Sequence, residues 1–177
     1  MITKIWDRLG VVFFNIIGTH IPVHAVRQGI LRLWGAKIGR DTSIFMGSTV
    51  FGIEKLKIGE ACSIGFRCLL DARGGLTIGD NVVIASDTHF IGGYHDISAP
   101  DFAAILVPIT VEDYVWIASR ATITGARIGR GAVIGACSLV RKDVAPLDIV
   151  AGVPAKVVGT RDAAALAYRP KYRPPLF

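Results

Sequence analysis

The chain has 177 residues, 51% of them apolar and 19% charged, with a formal net charge of +6 and a sequence pI near 9.5. That length gives one domain with its own core, and the apolar share excludes disorder as the default state. The positive balance suits an anionic ligand, a membrane surface or an acidic glycan. Nucleic acid is not expected, because the Lys and Arg are scattered rather than massed on an aromatic-rich segment.

The N-terminal stretch comes first. No Asp, Glu, Lys or Arg occurs from Leu9 to Val26, a run long enough to raise the question of a membrane span. Asn15, Thr19, His20, Pro22 and His24 interrupt it, and no small-residue cleavage site follows Leu9–Ile17. The pattern predicts one or two amphipathic helices over residues 4–34, either packed on the domain or resting on a membrane surface. Residues 1–35 are therefore expected to form a helical cap.

From residue 36 onward a shorter period takes over. Apolar residues recur six apart: Ile38, Ile44, Val50; Ile58, Ile64, Leu70; Ile78, Ile84, Phe90; Val111, Ile117, Ile123; and Ile128, Ile134, Val140. Neither a helix nor a plain strand repeats every six residues. One wall of a triangular prism does: a short strand with its aliphatic side chain inward, then a corner. Glycine follows Ile38, Ile58, Ile64, Ile78, Ile128 and Ile134 directly, which suits tight corners. Three walls make a coil, so residues 36–150 predict a parallel β-helix of about five coils. Two-residue bulges are expected at Glu54-Lys55 and near Gly74-Gly75, with one residue missing at Thr124-Gly125. A loop of about fifteen residues, 92–106, separates the third and fourth coils. Residues 151–177 read as a C-terminal loop and a proline-rich arm, Tyr168–Phe177, packing on a neighbouring coil or subunit.

These repeats resemble the left-handed β-helix, or hexapeptide-repeat, acyltransferases, the family of galactoside, maltose and serine acetyltransferases. The resemblance covers about residues 36–160. It is carried by Pro108–Ser119, by Ile134–Val144, and most specifically by Ala151-Gly-Val-Pro-Ala-Lys156. The resemblance implies left-handed coiling, a homotrimer with sites between neighbouring prisms, acetyl-CoA as co-substrate, and no required metal. The run Ile21–Gly39 resembles polysaccharide-modifying members, which shifts the expected acceptor toward a sugar or glycan hydroxyl. N-acylation of an amino sugar is the chemically close alternative. A metal-dependent prism would need a third histidine that the prism lacks, and a non-catalytic one is disfavoured by the Ala151–Lys156 signature that the chain retains. A cytoplasmic protein is expected, with or without contact at the inner face of the membrane.

Acetyl transfer to a hydroxyl needs a base, and neutral imidazole suits pH 7. His95 lies on the long loop, where the galactoside-type enzymes carry their catalytic histidine. His89 is the competitor, beside the inward-facing Phe90 and so pointing outward. By the same resemblance the Ser119 backbone N–H receives the developing oxyanion. Coenzyme A is then expected along Trp116, Ala118, Ala136, Gly152, Pro154 and Ala155. Its phosphates would meet Lys142, Lys156 and Arg161, with Arg141 nearby; a solvated basic face is the plainer reading of these cations. The family usually has Gly in place of Ala118 and Cys137. Asp71 and Asp96 are the acceptor-binding candidates, although a corner aspartate satisfying its own turn reads equally well at Asp71. Cys62, Cys68 and Cys137 show neither metal nor redox spacing and are expected to be free thiols of a reducing compartment.

Overall fold

The computed structural model describes residues 2–170 and 176. Three sheets of short parallel strands form the walls of a prism, the left-handed parallel β-helix. The first wall stacks Lys37–Ile38, Leu56–Ile58, Leu76–Ile78, Ile109–Val111 and Arg127–Ile128. The second stacks Ser43–Ile44, Ser63–Ile64, Val83–Ile84, Trp116–Ile117, Val133–Ile134 and Asp148–Gly152, and the antiparallel strand Ala155–Thr160 closes it. The third holds Thr49–Phe51, Leu69–Asp71, His89–Ile91, Thr122–Thr124 and Leu139–Val140.

The register explains the six-residue period. Ile38 pairs with Ile58, Ile58 with Ile78, Val111 with both Ile78 and Ile128, so the first-wall aliphatics stack one above another. Ile44, Ile64, Ile84, Ile117, Ile134 and Val150 form the second column. Val50, Leu70, Phe90, Ile123 and Val140 form the third. All but Ile38 are buried, and each buried aliphatic contributes about 1.5–3 kcal/mol. Corners stack as closely as walls. A Cβ on Gly39 would lie 2.5 Å from the Gly59 carbonyl carbon, and one on Gly59 would lie 2.6 Å from that of Gly79. Only glycine allows that approach.

Helix α1 (Ile2–Ile16) and helix α2 (His24–Leu33) cover the first coil, with Pro22 in the break between them. Exposed strand carbonyls there find donors on the helices. Asn15 makes a paired bond to the Val50 backbone, accepting its N–H at 2.9 Å and donating to its carbonyl at 3.0 Å. Thr19 donates to Ser48 O at 2.7 Å, and Gln28 to Thr42 O at 2.5 Å. Arg27, fully buried, donates to Ile44 O from Nε at 3.0 Å and also to Ile21 O. Burial lowers its pKa to about 10.

The Glu54-Lys55 bulge is a 3₁₀ turn, Ile53–Lys55. The C-terminal arm starts along the prism's own corner. Tyr168 Oη donates to Tyr114 O at 3.1 Å, and Arg169 pairs with Asp41 at 2.8 Å. Most of the arm that the sequence assigns to residues 168–177 lies outside the described residues.

Candidate active site

The long insertion between the third and fourth coils is not a plain loop. Gly93–His95 and Ala104–Leu106 pair as an antiparallel hairpin, Gly93 against Leu106 and His95 against Ala104. Its root is fixed at the third wall. Burial alone would raise the Asp71 carboxyl, but Arg73 donates to it from Nε and Nη2, each at 2.8 Å. Together with the Gly92 N–H and the Arg73 charge, these bonds hold the carboxyl below its usual range. Asp71 is 3% exposed. Its oxygens are turned onto Arg73 and Gly92, as in the corner role that the sequence equally allows, and the half-exposed guanidinium of Arg73, over the Phe51 ring, faces outward.

His95 sits exposed at the end of the hairpin strand. Its Nδ1 lies 2.7 Å from Phe102 O, and its ring stacks on the Phe102 ring at 4.4 Å and 9°. A carbonyl only accepts, so Nδ1 carries the proton. The lone pair of the neutral ring is then at Nε2, the state a general base needs. Asp96 accepts the Ser98 N–H at 2.9 Å and shapes the hairpin tip. His89 points outward from the third wall between Leu69 and Thr122.

Ser119, exposed, sits at the corner between the second and third walls, and its carbonyl accepts the Cys137 N–H at 3.0 Å. Trp116 is exposed on the second wall between Val83 and Val133. Ala136 is exposed one coil below Ser119. The Ala118 N–H donates to Ile134 O at 2.9 Å, and its carbonyl lies 3.4 Å from Thr88 Oγ1. On the register, Ser119 precedes Thr122 at one edge of the third wall, and the hairpin follows Ile91, the partner of Thr124, at the other edge. One chain therefore places Ser119 and the root of the His95 hairpin at opposite edges of a wall.

Two clefts accompany these residues. One, of about 550 Å³, lies under the hairpin root and is lined by Ile91, Tyr94, Thr124 and Arg141. The other, of about 600 Å³, lies at the last coil, where Val140, Val144 and Val150 end the three core columns. Lys142, Pro154, Ala155 and Lys156 come together there, again with Arg141, while Asp143 and Asp148 temper the positive rim. Gly152, whose N–H donates to Ser138 Oγ at 3.1 Å, begins the turn of the C-terminal hairpin beside it. Arg161 is partly buried at the start of the C-terminal segment. Its guanidinium donates to Tyr114 O at 3.0 Å and Gly131 O at 3.3 Å and lies over the Tyr168 ring, so it ties the C-terminal segment to the prism rather than lining the cleft. Arg141, which borders both clefts, is the cation that the position of the insertion alone does not single out.

Burial raises the Cys62 and Cys68 thiols to about 11, which removes them as nucleophiles. Cys137 is exposed and has φ 58°, a left-handed conformation that explains the family's usual glycine there.

The model for the hexapeptide repeat of succinyl-transferase matches residues 55–86 and 108–140. Over 136 residues, 76% of this chain, it is 32% identical to WcaF of Escherichia coli strain K12, provisionally named a colanic acid biosynthesis acetyltransferase, and spans 75% of that protein. The chain belongs to the hexapeptide-repeat acyltransferases. Galactoside O-acetyltransferase of the same organism is a further relative of this hexapeptide-repeat chain, 41% identical over 87 residues, which cover 47% of this chain and 43% of that one. Among solved structures, a hexapeptide-repeat acetyltransferase from Vibrio cholerae complexed with acetyl coenzyme A superposes with a TM-score of 0.79 at 26% identity, covering 91% of this chain and 88% of that one.

Proposed function

We propose that the protein transfers the acetyl group of acetyl-CoA to a hydroxyl of a sugar or glycan, at sites completed between adjacent chains of a homotrimer. The observation that carries this is the Nδ1–Phe102 bond of His95, which commits Nδ1 to a carbonyl and leaves Nε2 as the nitrogen for proton transfer on an exposed hairpin. Nε2 takes the proton of the acceptor hydroxyl as its oxygen attacks the thioester carbonyl carbon. The Ser119 backbone N–H receives the negative charge developing on the carbonyl oxygen. The carbon–sulfur bond then breaks, and the imidazolium returns its proton to the departing thiolate, which balances the transfer without a further reagent. Arg141, Lys142 and Lys156 fit the phosphates of coenzyme A, as the cation-bordered cleft supplies charge-assisted donors where a polyanion needs them. The opposed placement of Ser119 and the hairpin root supports a shared site, because a neighbouring prism supplies the missing edge. The acetyltransferase relatives and the acetyl-CoA complex of the Vibrio cholerae protein support the donor, and the galactoside and colanic acid relatives support a sugar acceptor.

Free CoA release from acetyl-CoA with a panel of sugars and glycans tests this. Release should depend on the acceptor and fall about 10² to 10⁴-fold in His95→Ala with the oligomer intact. Full release in that variant would transfer the base to His89, and absence of acetyl-CoA binding would end the reading.

A further inference from the structure

Helix α1 is apolar on both sides. Phe14 is buried in the core and Gly10 is buried against the Trp34 ring at the end of α2. Its outer side carries Ile5, Leu9, Val12 and Ile16 at helical spacing, flanked by Trp6 and Phe13, each between 39% and 67% exposed. An amphipathic helix packed on a soluble domain turns charge outward; this one turns a second apolar stripe outward. No helix among the described residues is long and apolar enough to cross a membrane.

Charge points to the occupant. Residues 1–35 contain Lys4, Arg8, Arg27 and Arg32 against the single acid Asp7, a net charge of +3, and Lys37 and Arg40 of the first coil follow directly. Arg8, Arg32, Lys37 and Arg40 are exposed. Arg40 shares its Nε with Glu60 at 3.3 Å, a surface pair that leaves the cap strongly positive. Two such caps facing each other would repel, which disfavours a cap-to-cap contact between copies of the chain. A flat, negatively charged apolar phase satisfies both features at once.

We propose that the outer face of α1 docks the protein on anionic phospholipid bilayers, with the helix lying in the interface and the basic residues of the cap against the headgroups. The inference is independent of acetyl transfer and stands or falls separately from it.

Co-sedimentation of the full chain with phosphatidylcholine vesicles, with and without about 30% phosphatidylglycerol, tests it. Partition should be at least about tenfold stronger on the anionic vesicles and should weaken in about 0.5 M salt. Leu9→Glu with Ile16→Glu should weaken it about tenfold or more without changing the oligomeric mass or thermal midpoint. Arg8→Glu with Lys37→Glu, which leaves the apolar face whole, should weaken it on anionic vesicles alone. No partition of the wild type, or equal partition on both vesicles, would overturn the proposal. A fall in oligomeric mass in the apolar double variant would overturn it in favour of an interface between copies.

Discussion

The two ends of the prism face the same problem and solve it differently. A stack of coils leaves unpaired backbone and apolar column ends at both extremes. At the first coil, side chains of the helical cap reach the strand backbone: Asn15 to Val50, Thr19 to Ser48, Gln28 to Thr42 and Arg27 to Ile44. At the last coil, the antiparallel strand Ala155–Thr160 continues the second wall only, and a cleft of about 600 Å³ remains over Val140, Val144 and Val150. One end is sealed for stability. The other is left open and bordered by Arg141, Lys142 and Lys156, and the proposed coenzyme contacts lie there.

Substitutions at the two ends should therefore be read by different instruments. Arg27→Ala leaves the buried Ile44 carbonyl and that of Ile21 without their donor and should cost about 3 kcal/mol in chemical denaturation. Asn15→Ala breaks both bonds to Val50 and should cost about 2 kcal/mol; a loss below about 0.5 kcal/mol would show that the sealed end is not held by these bonds. At the open end, Lys142→Ala and Lys156→Ala should each raise the KM for acetyl-CoA about tenfold and change stability by less than about 0.5 kcal/mol. Equal destabilisation at both ends would erase the contrast.

The middle coils sharpen it with the smallest effect. The Cys62 and Cys68 thiols, raised by burial from 9.0 to about 11, hold their protons more tightly when folded. Their contribution to stability is complete below pH 9 and lost as pH rises toward 11, because the unfolded thiols ionise first. Denaturation at pH 8 and pH 10.5 should show a lower stability at the higher pH, and Cys62→Ala should reduce that difference.

Legibility in the sequence followed the same division. All fifteen apolar residues spaced by six fall into three stacked columns, because a column requires an aliphatic at each turn of the prism. The insertion was visible as an interruption, but its hairpin was not, since three-residue strands such as Gly93–His95 carry too short a pattern to show alternation. Asn15 and Thr19 stood out as polar breaks in an apolar run, yet their partners Val50 and Ser48 lie far along the chain. The partners of Arg161 and Asp71 are hidden in the sequence for a related reason. Proximity to a motif says nothing about which backbone carbonyl or guanidinium a charged side chain meets, and both found theirs inside the fold.

Convergence of the His95 hairpin of one chain with Ser119 of the next is the central claim. A crystal structure of the protein with coenzyme A tests it most directly. The claim predicts a trimer in which the thiol sulfur lies between His95 Nε2 of one chain and the Ser119 N–H of its neighbour, within reach of both. A coenzyme thiol remote from His95, or a site built by one chain alone, would contradict it.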